Sequence, residues 1–290
     1  RTELDYFRRN GYLLFGEEVL AYHAQVQNEL SGFLDACARE GIEPVPTCAA
    51  NEFKVQVSDL EERLTPRTRA LLLSYPSNPT GATMSREELL PIARFCCERD
   101  LLVVSDEIYG HLTYEGEHCC VASLPGMRER TILLNGFSKA YAMTGWRMGY
   151  AAGPAEIVQA MTKIHQYTML CAPITAQMAA IEALKNGQRA RAEMIHQYDQ
   201  RRRLIIGGLN RIGLPCFPAK GAFYAFPSIE GTGLDCEEFA ERLLHEERVA
   251  VVPGNAFGLG GDGHIRCAYA ASVAHIEEAL RRIERFLKRL

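Results

Sequence analysis

Lys139 stands in the run Asn135-Gly136-Phe137-Ser138-Lys139-Ala140-Tyr141-Ala142-Met143-Thr144-Gly145-Trp146-Arg147. An apolar stretch, Thr131 to Leu134, leads into it and reads as a buried strand. A lysine just past such a strand lies at a sheet edge, beside small and hydroxyl-bearing residues. There an amine can be partly desolvated, lose its proton and form a Schiff base with a carbonyl. Arg147 follows eight residues later, close enough to hold an anionic group of the same ligand. Taken alone, a lysine in a loop is ordinarily a solvated surface charge, so the rest of the chain must supply the distinction.

Leu101-Leu102-Val103-Val104-Ser105-Asp106-Glu107-Ile108-Tyr109 is an apolar strand running into a carboxylate. Ligands of open α/β sheets bind outside the carboxyl ends of the strands. A carboxylate in such a place usually has a cationic partner. Asp106 could hold a protonated ring nitrogen, and Tyr109, three residues on, could reach the same ring with its hydroxyl. The plainer role for Asp106 is to cap the next turn. Glu107 is adjacent and would point elsewhere. Ser77-Asn78-Pro79-Thr80-Gly81 follows a strand ending at Tyr75 and reads as a turn. The Asn78 amide could face a crevice above the sheet, or simply serve the turn.

Arg266 sits inside an apolar strand. A buried arginine needs a partner, either a bidentate carboxylate ligand or an internal salt bridge. Gly258-Leu259-Gly260-Gly261-Asp262-Gly263 is glycine-rich, but it follows no strand-to-helix turn of dinucleotide type and holds no lysine. It reads as a flexible connection. One small molecule suits the lysine and Arg147 together. Pyridoxal 5'-phosphate offers an aldehyde to the amine and a phosphate to the guanidinium.

The elements that position these residues are short apolar runs alternating with helical patterns. Strands are expected over Glu18–Tyr22, Glu43–Pro46, Ala70–Tyr75, Leu101–Ser105, Thr131–Leu134 and Met148–Ala152. Helices are expected over Gln27–Glu40, Arg86–Arg99, Pro154–Tyr167 and Ile174–Asn186. This order indicates an α/β fold with a mostly parallel sheet flanked by helices. Ser85 is placed to cap the helix at Arg86, with Glu87 and Glu88 in its first turn.

Beyond about Gly187 the texture changes. A long charged helix, Gln188–Asn210, carries Arg201-Arg202-Arg203, which reads as a solvated face rather than a phosphate patch. Strands at Gly221–Phe226, Val249–Val252 and His264–Ala268 follow, with helices at Cys236–Glu247 and Val273–Leu290. The expected division is a large α/β domain over residues 1–184 and a smaller C-terminal α+β domain over 185–290.

The chain has 290 residues, 47% of them hydrophobic and 23% charged, with a net charge of -4. Those values suit a soluble globular protein and argue against nucleic acid as a partner. No apolar run approaches the roughly 18 to 20 residues that span a bilayer. Arg1-Thr2-Glu3-Leu4-Asp5 does not read as a signal peptide. The ten cysteines lack metal-binding spacing. They are expected as reduced, mostly buried thiols in a cytoplasmic protein, with no metal site.

The order of these signals is more specific than any one of them. An Asn-Pro-Thr-Gly turn, Asp-x-x-Tyr after a strand, Ser-Lys with Arg eight residues on, and a late strand arginine resemble the class I/II aminotransferases. These are pyridoxal-phosphate enzymes of fold type I, the aspartate aminotransferase-like superfamily. The resemblance runs from about Gly16 to the C-terminus and includes Gly221-Ala222-Phe223-Tyr224 and Val251-Val252-Pro253-Gly254.

It implies that Lys139 forms the Schiff base and then moves the substrate proton, and that Asp106 keeps the pyridine nitrogen protonated. Tyr109 and Asn78 would bond the ring's phenolic oxygen. Arg147, with Ser138, would bind the phosphate. Arg266, with Asn78 alongside, would clamp the substrate carboxylate. The substrates would be an amino acid and a 2-oxo acid, and the assembly a homodimer. By the same resemblance the chain lacks a front portion that helps bind phosphate and substrate, and Thr2-Glu3-Leu4 is similar to the end of its phosphate loop. Near the place of the ring-stacking aromatic stand Tyr22, His23, Gln25 and Val26. Alternatives on the same residues are a β-lyase, a non-enzymatic regulatory domain, and a catalytically impaired truncated relative.

Overall fold

Parallel strands that end at one edge bring distant loops together, and that is what organises this molecule. The computed structural model describes residues 41–290. The elements expected at Glu18–Tyr22 and Gln27–Glu40, and the stacking candidates Tyr22, His23, Gln25 and Val26, lie outside the described residues. The chain groups into two compact units.

One unit comprises Lys54–Gln200 and Ala219–Phe223. It opens with α1 (Val57–Arg63), β1 (Ala70–Ser74), α2 (Arg86–Glu98), β2 (Leu102–Asp106), β3 (Thr131–Gly136) and β4 (Gly149–Ala152). It continues through α3 (Ala155–Thr168), α4 (Ile174–Asn186) and the first half of α5 (Gln188–Arg211). The sheet has the order β1-β2-β3-β4. β1, β2 and β3 run parallel, with Ser74 opposite Asp106 and Asp106 opposite Leu134. Their carboxyl ends therefore finish level. β4 returns antiparallel, pairing Gly136 with Gly149.

β2 alternates as a half-buried strand must. Val103 and Ser105 are buried on one face while Val104 and Asp106 are half-buried on the other. α2 begins as its sequence requires. Ser85 Oγ accepts from the Glu88 N–H, and Glu88 Oε2 accepts from the Ser85 N–H, which satisfies two orphan donors of the first turn.

The other unit comprises the described residues 41–53 with Arg201–Pro218 and Tyr224–Leu290. Its three-stranded antiparallel sheet has the order β5 (Tyr224–Ala225), β7 (Ile265–Ala268), β6 (Val252–Pro253). α6 (Cys236–Glu247) and α7 (Val273–Leu287) pack with Phe239 edge-on to Phe286 at 5.3 Å. Both helices are capped, α6 by Asp235 and α7 by Ser272. Glu247, at the end of α6, is buried and receives side-chain hydrogen bonds from Arg285 and Arg289. Arg282 donates to its backbone carbonyl at 3.0 Å. The bonds from Arg285 hold the Glu247 carboxyl below the usual carboxylate range against the opposing effect of burial, and those from Arg289 add to them.

Several expectations need correction. Glu43–Pro46 forms no strand, because Pro44 and Pro46 remove alternate backbone donors. The strand expected over Gly221–Phe226 shrinks to Tyr224–Ala225, because Gly221 and Ala222 are engaged elsewhere. Gly221 N donates to the Gly81 carbonyl at 2.9 Å, and Ala222 N to the Leu112 carbonyl at the same distance. Arg202 is buried while Arg203 is exposed, so the arginine run is not one solvated face. The described cysteines are free; Cys96, Cys236 and Cys267 are buried, but Cys48 and Cys171 are exposed. The contact grouping divides the chain within α5, after Gln200, and returns Ala219–Phe223 to the unit of Lys54–Gln200. Among the described residues no helix is long and apolar enough to cross a membrane.

Candidate active site

The hairpin that joins β3 to β4 carries both Lys139 and Arg147. Its base is closed by the Gly136–Gly149 pair and by Phe137 N donating to the Met148 carbonyl at 3.2 Å. A β-carbon on Gly136 would stand 2.9 Å from the Met148 carbonyl oxygen and 3.0 Å from the Gly149 Cα. Only glycine fits that closure. Within the loop, Tyr141 N donates to the Phe137 carbonyl at 3.1 Å, which turns the chain tightly around Ser138 and Lys139. Phe137 and Met143 are buried and pack with Ala180 of α4, so the loop is anchored by its apolar members.

Lys139 is half-buried. Its Nζ lies 5.6 Å from the centroid of the Tyr109 ring and 5.4 Å from that of Phe223. These two rings meet edge to face at 5.4 Å, and Tyr198 stacks on Phe223 at 5.6 Å. The amine thus rests against an aromatic wall whose faces favour a cation. Arg147 is exposed, adopts a left-handed backbone with φ 54, and donates to the Thr144 carbonyl at 2.9 Å. Ser138 is half-buried beside Lys139.

Asp106 ends β2, the strand next to β3. Its Oδ1 accepts from the Ile108 N–H at 3.1 Å, while Oδ2 accepts no hydrogen bond among the described residues. One oxygen thus performs the capping expected of an Asp at a strand end, and the other faces no donor among the described residues. Tyr109 is buried. Asn78 is exposed in the turn after β1, whose shape is held by Gly81 N donating to the Ser77 carbonyl at 2.9 Å.

Asn78, Asp106 with Tyr109, and Lys139 with Ser138 and Arg147 therefore follow three consecutive parallel strands of one unit. Arg266 belongs to the other unit, on β7. Its guanidinium carbon lies 4.7 Å from the centroids of both Tyr224 and Phe257.

The model of the aminotransferase class I and II family matches residues 31–283. The chain belongs to the class I and II aminotransferases.

Among relatives of this aminotransferase chain is the aromatic-amino-acid aminotransferase 2 of Thermococcus litoralis. It is 46% identical over 247 residues, which span 84% of this chain and 64% of the relative. The crystal structure of an aromatic aminotransferase from Pyrococcus horikoshii superimposes with a TM-score of 0.83 at 48% identity, covering 84% of this chain and 66% of that one. The aspartate aminotransferase of Thermus thermophilus with maleate gives 0.79 at 41% identity, covering 83% and 63%. The chain thus spans somewhat under two thirds of the length of the curated relatives it matches. The fold is that of these aminotransferases, fold type I.

Two features of the candidate site escape sequence reasoning. Phe223, one wall of the lysine pocket, comes from a segment 84 positions away from Lys139, and only its place in Gly221-Ala222-Phe223-Tyr224 could have drawn attention to it. Glu107 points away from Asp106, as strand alternation requires, but it is far from idle. It is buried and accepts from Ser105 Oγ at 2.9 Å and from the Val121 N–H at 3.0 Å, and it meets His118 Nε2 at 2.6 Å. Burial pushes its carboxyl up, and the bonds from His118, Val121 and Ser105 together pull it below the usual range.

Proposed function

We propose that the protein is a pyridoxal-phosphate-dependent aminotransferase that moves an amino group between an α-amino acid and a 2-oxo acid, with Lys139 as the Schiff-base lysine. The observation that carries this reading is the shared hairpin of Lys139 and Arg147 beside the strand end of Asp106. It supplies an amine, an exposed guanidinium and a carboxylate with an oxygen that no donor among the described residues occupies. That donor set fits the cofactor's aldehyde, phosphate and pyridinium. When bound, pyridoxal phosphate supplies an electrophilic carbon for the amine and a ring that accepts the electron pair left as the substrate Cα loses its proton.

The chain's own residues then divide the work. Asp106 holds a proton on the ring nitrogen, because a carboxylate nearby favours the charged form. Tyr109 and Asn78 donate to the ring's phenolic oxygen. Arg147 and Ser138 hold the phosphate, Arg147 through a fork suited to paired oxygens. Lys139 would act as the positioned general base that takes the proton from the substrate Cα and holds it for return. Arg266, whose guanidinium carbon lies 4.7 Å from the Tyr224 and Phe257 ring centroids, would read the substrate carboxylate, and so would Asn78. Family membership supports a homodimer working in the cytoplasm.

The test is to add pyridoxal phosphate, reduce with borohydride and map the labelled peptide. The label is expected on Lys139, and amino transfer from an amino acid to 2-oxoglutarate should follow in the unreduced protein. Labelling of another lysine would overturn the assignment. Release of pyruvate from cystathionine without an oxo-acid acceptor would point to the lyase instead.

A further inference from the structure

Among the described residues the Asp106 side chain has one tether, the hydrogen bond from the Ile108 N–H. Its direction therefore depends on the peptide that follows, and that peptide is held by Glu107. The Glu107 backbone N–H donates to Leu134 of β3 at 2.9 Å, and its carbonyl accepts from the Gly110 N–H at 2.8 Å. Its side chain drops to the opposite face of the sheet and gathers Ser105, Val121 and His118. Gly110 keeps that cluster closed, since a β-carbon there would stand 2.8 Å from His118 Cδ2. Burying a carboxylate is expensive unless its oxygens are satisfied. A glutamate that stabilised nothing but packing could be replaced by an apolar residue of the same size.

Resting on the function proposed above, we infer that Glu107 is a positioning residue: with His118 as its clamp, it fixes the peptide that follows Asp106 so that Asp106 faces the ring nitrogen. The two adjacent carboxylates then divide their tasks by face, one buried in the scaffold and one presented to the ligand. Groups that act as one unit give non-additive effects when removed together.

The experiment is a double-mutant cycle read as the dissociation constant of pyridoxal phosphate in the full chain. Glu107→Ala should weaken binding about tenfold when Asp106 is present, and less than about twofold in the Asp106→Asn background, because the residue acts through Asp106. The same variant should lower kcat while leaving KM for the amino acid unchanged, since Arg266 is untouched. If Glu107→Ala does not yield folded protein by circular dichroism, His118→Asn decides by the same cycle, with an expected loss of about threefold confined to the Asp106 background. Equal losses in both backgrounds would show a general structural role and overturn the inference alone. A wild-type chain that takes up no pyridoxal phosphate would overturn the proposed function, and this role with it.

Discussion

Gly136 and Gly149 face each other across the closing rung of the hairpin that bears Lys139 and Arg147, and a β-carbon on Gly136 would stand 3.0 Å from the Gly149 Cα. The two nearest neighbours of that β-carbon are backbone atoms, which cannot rotate away. Gly136→Ala should therefore destabilise the protein by about 1–3 kcal/mol. It should also weaken pyridoxal phosphate binding, because the two cationic residues move with the loop. Thermal unfolding and cofactor titration of the variant check both parts; unchanged binding would show that the loop tolerates a wider base.

Asp106→Asn keeps the size of the side chain and its bond from Ile108 but removes the charge. The variant should still bind cofactor, while Cα proton transfer slows about a thousandfold, as when a preorganised charge partner is lost. Exchange of the substrate Cα proton, followed by NMR in deuterated water, measures that step directly. Near wild-type exchange would remove Asp106 from the chemistry.

Arg266→Lys keeps a positive charge but loses the two-pronged fork. KM for amino acids should rise roughly tenfold while the cofactor spectrum is unchanged. Simple amines without a carboxylate should lose little. If amines and amino acids suffer alike, the arginine serves the fold.

Glu247 makes a prediction about pH. Its carboxyl is held below the ordinary value of 4.5, so its contribution to stability is fully present above that value and is lost as pH falls through the lower folded value. Glu247→Gln should cost about 2 kcal/mol near neutral pH, the worth of charge-assisted hydrogen bonds. The gap in melting temperature between wild type and variant should close on the acid side. A gap that stays constant from neutral pH down into the acid range would assign the loss to packing.

Much of the scaffold was legible because the buried strands announce themselves. Val103 and Val104 run into Ser105 and Asp106, and Thr131 to Leu134 run toward Lys139, so strand ends and candidate residues coincide in the chain. α4 and α6 fall on their expected bounds, and α2 starts at its expected cap. Spacing could place Lys139 and Arg147 near each other, but not the returning antiparallel β4 that makes them arms of one hairpin. What stayed hidden depends on contacts distant in sequence. Phe223 meets Lys139 only because Gly221 and Ala222 bind the loops after β1 and β2. Glu107 was rightly read as pointing away from Asp106, but its partners His118 and Val121 lie in a loop with no regular pattern. Arg202 is buried on a long, strongly charged helix whose arginine run gives no sign of which member turns inward.

The return of Ala219–Phe223 to the Lys54–Gln200 unit also sets an order of events. Lys220 N and Gly221 N donate to the Gly81 carbonyl, and the Tyr114 hydroxyl donates to the Ala222 carbonyl, so five late residues seal the loops that precede Lys139. A ribosome adds about 5–20 residues per second. The sheet, the hairpin and the lysine therefore leave the exit tunnel a second or more before Phe223 does. During that interval the newborn lysine has Tyr109 beside it but lacks its second ring, and the aromatic wall is finished only when Ala219–Phe223 arrives.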